Sequence, residues 1–279
     1  MDAAANLPLA FAWCVLCGFL MSSGAGGGGI LAGIGHISIL GVTDANMIKA
    51  ANQILEFSSR LVSVPLYHRQ KRLVWSLALS FGLGAPIGAV AGSWLSKTYL
   101  SDMSVYRPVF GVLVALVAAR VLYEGWFKKG ARAPAPDGSR PRTERFGWRK
   151  AMVRFGGHAL EYSPASAALG GFAISFVGSM MGVGGGFLVT PFMASVLLFP
   201  MFLVVGTGLV ALMIPLTVSV LTYLALEVRM DWNLIAVEVP GIFAGSFLGP
   251  ALNRYMNEKV LKTFVAVVLL VIGTFYVLH

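Results

Sequence analysis

Glycine interrupts an apolar run of this chain twice, at matching places. The first cluster is Gly24-Ala25-Gly26-Gly27-Gly28-Gly29 and the second is Gly182-Val183-Gly184-Gly185-Gly186. Each lies between two hydrophobic arms and is followed by a similar series of hydrophobic segments. Consecutive glycines open an α-helix and expose its backbone dipoles. In hydrocarbon an open backbone is tolerated only where protein buries it or a wet cavity receives it. A pair of such breaks in corresponding halves is the best sequence pointer to the binding site of a secondary transporter.

Composition says that these arms do lie in hydrocarbon. Of 279 residues, 57% are hydrophobic and 12% charged, against about 25% charged in a soluble domain. Several apolar runs reach the roughly 20 residues that cross a bilayer. Little chain remains for a catalytic domain outside the membrane. The formal net charge of +9 is concentrated between Lys128 and Arg154. Flanked by spans, that cluster reads as a cytoplasmic loop under the positive-inside rule, with membrane lipid headgroups as neighbours and no nucleic acid as partner. Cys14 and Cys17 stand in a C-x-x-C spacing inside a span. Without a second cysteine pair they read as small apolar filler, so no metal site is expected. Met1 to Asn6 has no basic start, so the first span is expected to be retained.

Eight hydrophobic regions fall into two halves. The first half holds Leu7 to Leu40, Met47 to Tyr67, Leu73 to Leu95 and Tyr106 to Trp126. The second holds Ala165 to Phe199, Phe202 to Leu226, Leu234 to Leu252 and Val260 to Leu278. The first region of each half contains a glycine cluster. Gly88-Ala89-Val90-Ala91-Gly92-Ser93-Trp94-Leu95 matches Gly241-Ile242-Phe243-Ala244-Gly245-Ser246-Phe247-Leu248, with Pro86 and Pro240 just upstream. This is an internal duplication. Residues 1–127 are read as the first repeat, 128–164 as a basic cytoplasmic linker and 165–279 as the second repeat. Within the linker, Phe146 to His158 is expected to form a short interfacial helix. Gly88, Gly92, Gly241 and Gly245 read as close-packing positions. The G-x-G-x-x-G string at Gly24, Gly26 and Gly29 lacks a βαβ setting and is not a dinucleotide site.

The basic loop His68-Arg69-Gln70-Lys71-Arg72 belongs on the cytoplasmic side. Two spans later, the loop from Lys128 to Arg154 returns to that side. The arms Leu169 to Met181 and Phe187 to Phe199 are each about 20 Å long, too short for the roughly 30 Å core. They form either one broken crossing or a re-entrant hairpin. The first gives parallel repeats; the second gives three crossings per half and inverted repeats. Charge favours inversion, which puts Arg254, Lys259 and Lys262 inside. The expected fold is therefore an all-α polytopic membrane protein with two homologous halves. Each half has a glycine-broken or re-entrant helix pair and three transmembrane helices.

The second region hides a polar stripe. Lys49, Asn52, Gln53, Glu56, Ser59, Arg60, Ser63 and Tyr67 recur at three- and four-residue spacing, on one helix face. Ionisable groups inside a membrane face a cavity or a partner. Glu56 and Arg60 are four apart and can pair, either as a structural ion pair or as a coupling element. Lys49, Asn52, Gln53 and Arg60 are candidate ligands for an anion. The glycine clusters add open N–H groups from Gly26, Gly27 and Gly28 and from Gly184, Gly185 and Gly186. Ser22, Ser23 and Ser179 sit just ahead of the breaks and could add hydroxyls. His36, on the arm after the first cluster, is read either as an anion donor or proton carrier or as a buried structural histidine. Glu238, single within its span, is read either as a proton-coupling carboxylate or, in preference, as a packing acid satisfied by a neighbour. No catalytic group and no cofactor motif is present.

These features together resemble the TauE/SafE family of membrane transporters, also called the 4-toluenesulfonate uptake permease family. The resemblance lies in the paired G-x-G-G-G motifs, the basic middle loop, the overall length and the string Gly182-Val183-Gly184-Gly185-Gly186-Phe187-Leu188-Val189-Thr190-Pro191. The first half departs from that string, with Gly29 where Phe187 stands and no proline matching Pro191. Membership implies a multi-pass permease of the bacterial inner membrane for sulfur-containing anions such as sulfite or a small organosulfonate. The leading expectation is secondary export by alternating access. The alternative is uptake of thiosulfate, a sulfonate or another small organic acid, and an intramembrane enzyme is the remote one. Glycine-rich helix faces leave room for a homodimer.

Overall fold

In a computed structural model, residues 7–24, 27–127, 140–252 and 258–278 are described. Each half opens with a helical hairpin. In the first, α1 (Leu7–Ser23) ends at a turn and α2 (Gly28–Ile34) begins after it, continuing as a π-helical turn over Gly35–Ile39. In the second, α6 (Pro164–Met181) is followed by α7 (Gly186–Pro191) and a π-helical turn over Phe192–Val196. The same backbone device reverses the chain both times. Gly24 and Gly182 close one helix in the left-handed region (φ 77° and 69°), and Gly27 and Gly185 start the next there (φ 84° and 74°). A side chain at such a position is strained, which is why glycine occupies all four.

The arms fold back on themselves. Gly28 lies against Met21 and Cys17, and Gly35 against Trp13, whose indole N–H donates to the Leu31 carbonyl at 3.0 Å. Likewise Gly178 lies against Gly184 and Gly185, and Gly170 against Phe192. Each pair of arms is thus a helical hairpin and not one straight segment with a break.

Between and after the hairpins run the long helices. In the first half these are α3 (Ala45–Arg69), α4 (Trp75–Tyr99) and α5 (Met103–Phe127); in the second, α8 (Met201–Ala211), α9 (Met213–Ala225), α10 (Trp232–Leu252) and α11 (Glu258–Leu278). Asp44 caps α3 by accepting from the N–H groups of Asn46 and Met47. Ser163 caps α6, with Pro164 in the first turn where its missing N–H costs nothing. The region from Phe202 to Leu226, read as one segment, breaks at Leu212. Pro215 explains the break, because it has no N–H for the Ala211 carbonyl and its ring crowds that turn. Five helical segments among the described residues are long and apolar enough to cross a membrane. The shorter α1 and the hairpin arms α2 and α7 are apolar too.

Packing exchanges the halves. α4 lies along α6, α1 along α10, and α5 along α11. Gly84, Gly88 and Gly92 of α4 press on the backbone of Ala168, Phe172 and Phe176. Gly241, Gly245 and Gly249 of α10 press in the same manner on Phe11, Val15 and Ser22 of α1. Small residues four apart let the backbones meet, the role read for the paired G-x-x-x-G strings.

The expected interfacial helix at Phe146 to His158 is instead part of a three-stranded antiparallel sheet, β1 (Arg142–Arg145), β2 (Ala151–Phe155) and β3 (His158–Tyr162). The reason is a period of two. Ala151, Val153 and Phe155 are buried while Arg154 is exposed. Gly156 and Gly157, both with positive φ, make the tight turn between β2 and β3. Phe155 stacks on Phe202 and Tyr162 meets Phe199 edge-on, which docks the sheet on the entrance to α8.

Candidate functional site

The two glycine turns meet. Between them lies a chamber of about 30 Å³, walled by Gly27, Gly28 and Gly29 from the first hairpin and by Gly186, Phe187 and Thr190 from the second. A single water needs about 10–15 Å³ on this scale. The chamber therefore holds a few water-sized groups. α3 adds Glu56 and Arg60, and the α8–α9 break adds Leu212.

Glu56 and Arg60 are 3% and 1% exposed. They form an ion pair one helical turn apart, and the Arg60 Nη1 also donates to the Glu56 carbonyl at 2.5 Å. Among the described residues the Arg60 Nε has no hydrogen-bond partner. Both turns close onto this carboxylate: a methyl group at Gly29 or at Gly184 would collide with Glu56. Gly184 also has a left-handed φ of 63°. Glycine is thus required here for contact with the charged pair as well as for turning.

A helix end buried in hydrocarbon needs partners for its last carbonyls. At α1, Tyr67 donates to the Ser22 carbonyl at 2.8 Å. At α6, Tyr223 donates to Ser179 at 2.8 Å, Ser96 to Met180 at 2.7 Å and Tyr106 to Met181 at 3.0 Å. Apart from Tyr67, these tyrosines, which hold the helix ends at the turns, were not singled out from sequence. Their signal was available, since a buried Tyr must find an acceptor.

The remaining candidates divide. Gly27, Gly28 and Gly186 line the chamber; Gly184 and Gly185 form its second turn. Gly26 lies outside the described residues. Asn52 and Gln53 each hold one hairpin: the Asn52 amide donates to the Gly29 carbonyl at 3.4 Å and that of Gln53 to Gly178 at 3.2 Å. Lys49 does not reach the chamber. Its ammonium donates to the Leu100 carbonyl at 2.7 Å and lies 5.0 Å above the Tyr106 ring, where a cation suits the C-terminal end of α4. The Ser22 and Ser23 hydroxyls turn back to the carbonyls of Phe19 and Leu20. Ser179 is buried and enters the network through its carbonyl. His36 is also absent from the chamber and pairs with Glu238 at 2.9 Å. Glu238 thus has the neighbour the sequence reading asked for. Thr190, Phe187 and Leu212 are chamber residues that sequence reasoning did not select. Thr190 and Phe187 lie inside the glycine string itself, which was their only signal.

A family model described as "Sulfite exporter TauE/SafE" matches residues 10–276. The chain belongs to the TauE/SafE family. Curated relatives agree. It is 26% identical over 218 residues to the "Probable membrane transporter protein YunE" of Bacillus subtilis, covering 76% of this chain and 74% of that one. It is 25% identical over 264 residues to a "Probable membrane transporter protein" of Xylella fastidiosa, covering 94% and 91%. No solved structure matches. Family membership, these relatives and the membrane-length helices make this TauE/SafE protein a multi-pass inner-membrane transporter. The family description and the relatives' names speak of transport and not of catalysis.

Proposed function

We propose that this TauE/SafE protein exports sulfite, or an organosulfonate of similar size, and that the chamber between the glycine turns is its binding site. Arg60 carries the reading. It is a buried guanidinium with an unused Nε donor, set where two open turns meet. A guanidinium offers planar donors matched to oxyanions. The first N–H groups of α2 and α7 have no partner within their own helices and add to the field that an anion would meet. Glu56 balances the Arg60 charge, so the empty chamber carries no net charge from this pair and binding stays weak enough to reverse. The chamber volume of about 30 Å³ suits a three-oxygen anion better than an aromatic sulfonate.

The hairpins support an inverted duplication. Each returns to its own side, leaving three long elements per half: α3, α4 and α5, then α8–α9, α10 and α11. An odd number of crossings turns the second half over. Alternating access would rock one half against the other along the glycine faces of α4 and α10.

The test is a thermal-shift screen of detergent-solubilised protein with sulfite, sulfate, thiosulfate, taurine and sulfoacetate, followed by flux in proteoliposomes. Sulfite is expected to stabilise wild type and not Arg60→Ala, with flux reduced at least tenfold in the variant. No shift with any of these anions, or normal flux through Arg60→Ala, would remove the chamber from the mechanism. Thiosulfate or sulfonate binding without sulfite binding selects the uptake alternative.

A further inference from the structure

His36 and Glu238 form a second buried charged pair, distinct from the chamber. His36 Nε2 lies 2.9 Å from Glu238 Oε1, and the two side chains are 2% exposed. They come from different elements, the π-helical turn after α2 and the middle of α10. Among the described residues, His36 Nδ1 and Glu238 Oε2 have no hydrogen-bond partner. A cavity of about 10 Å³ adjoins the histidine and runs between Val42, Met47, Ile48 and Ile235 to Asp231. That is room for about one water. Asp231 is half-buried at the start of α10, so the cavity points from the pair toward the end of the span.

The other half shows that the joint does not need this pair. Met193 holds the second position of the matching π-helical turn, where His36 stands in the first. Aligning Gly88 with Gly241 places Ala85 where Glu238 stands. Met193 and Ala85 belong to one apolar core cluster. The fold makes the same joint from apolar side chains, which cost no desolvation. A buried ion pair with one open nitrogen and one open oxygen, beside a void of water size, has another task.

We propose that His36 and Glu238 are the proton site that couples transport to a pH gradient. This rests on the transport reading above. With one proton the pair is imidazolium and carboxylate, net neutral. Losing that proton through the Asp231 cavity leaves imidazole and a lone buried carboxylate, which low-dielectric surroundings disfavour. Relief comes from moving the π-helical turn away from α10 and admitting water. His36 lies in the π-helical turn that continues the arm whose first residues, Gly28 to Ile30, wall the chamber, so this motion reaches the anion site. The other titratable or charged groups on the elements packed here are Cys14 and Cys17 of α1, of which Cys14 faces Glu238, Asp44 and Lys49 at the start of α3, Asp231 before α10, and Tyr276 of α11 beside Arg107 of α5. Lys49 is engaged with carbonyls of α4, and Tyr276 with Ser38.

Two measurements separate this inference from the substrate assignment. Infrared difference spectra of the solubilised full chain between pH 5 and pH 8 need no substrate. They should contain a carboxyl band that Glu238→Gln removes and His36→Gln shifts. Spectra identical in wild type and Glu238→Gln overturn the proton site whatever the chain carries. In proteoliposomes with sulfite and an imposed pH gradient, both variants should keep sulfite–sulfite exchange and lose gradient-driven accumulation at least tenfold. Accumulation at the wild-type level in either variant also overturns it. If the Glu238 band responds to the proton of the pair while wild type carries no sulfite, the substrate assignment fails and the proton site stands. Glu238→Gln keeps the shape of the acid, so its folding, checked by thermal melting, keeps the test valid if His36→Gln is poorly made.

Discussion

The two hairpins share a backbone and differ in what faces them. Across the first half stands α3, one unbroken helix that carries Glu56 and Arg60 into the chamber. Across the second stands α8–α9, broken at Leu212. Setting Tyr67 on Tyr223, which do the same work for Ser22 and Ser179, puts Leu212 opposite Glu56 and Leu216 opposite Arg60. His36 likewise stands opposite Met193. The turns, their left-handed glycines and their tyrosine caps are duplicated, whereas both buried ion pairs are not. Scaffold therefore belongs to the repeat and charge to one copy of it. The second half makes the same turns without these charged groups, which is why the proposed anion and proton sites are placed on them.

The sharpest way to break that comparison is to make the first half like the second. Glu56→Leu combined with Arg60→Leu should abolish sulfite flux to background while the melting temperature stays close to wild type. Replacing a buried ion pair by apolar groups is often neutral, whereas removing one partner costs about 3–5 kcal/mol. Arg60→Leu alone should therefore be the less stable protein. Sulfite flux through the double variant would show that charge on α3 is not part of the site.

Next in size are the glycines that touch Glu56. Gly184→Ala brings both a collision and a left-handed strain, which costs roughly 1–2 kcal/mol for a residue with a Cβ. Gly29→Ala brings the collision alone. Overpacking of this kind typically costs about 1–3 kcal/mol. Size-exclusion melts should rank Gly184→Ala below Gly29→Ala, with both below wild type. The reverse order would mean that the two turns do not close on one carboxylate.

Smaller and equal effects are expected where the halves match. Gly92→Ala on α4 and Gly245→Ala on α10 each drive a methyl group into a partner backbone, at Phe176 and at Val15. Each should lower stability by about 1–3 kcal/mol. Because they share no contact partner, the two losses should add within about 0.5 kcal/mol. A large inequality would show that the exchanged pairings α4 with α6 and α1 with α10 are not equivalent.

The same division decided what could be read from sequence. Glycine clusters, small-residue strings and the stripe on α3 are local patterns, and they gave the helical membrane fold and its paired breaks. Assigning jobs within the stripe needed partners from elsewhere. Lys49 looks like an anion ligand until the α4 carbonyls are placed beside it, and His36 until Glu238 is. Asn52 and Gln53 are polar because each holds a different hairpin. The linker sheet was legible in principle, since Ala151, Val153 and Phe155 alternate with Met152 and Arg154. The basic charge around them drew the reading toward a surface helix instead.

The smallest contrast lies at the aqueous ends of the helices. Asp44 caps α3 with two N–H bonds, while α8, at the corresponding place, begins at Pro200 with no side-chain cap. Asp44→Ala should cost about 1 kcal/mol, a typical cap, and Pro200→Ala should lose none from capping. Asp102, just before α5, accepts from the backbone N–H and the hydroxyl of Ser104, both at 2.8 Å. The Ser104 N–H and then its hydroxyl hold the Asp102 carboxyl below the ordinary carboxylate range. A lowered value means that the ionised form is the one the fold favours. Its stabilisation is therefore complete above the unfolded carboxylate's range and is lost as pH falls through the lower, folded value. Asp102→Asn should melt slightly below wild type at pH 7, and the gap should close on acidification. Asp102 is exposed, so the gap is expected to be small and to shrink with added salt. A gap that widens in acid would reverse the sign of the cap.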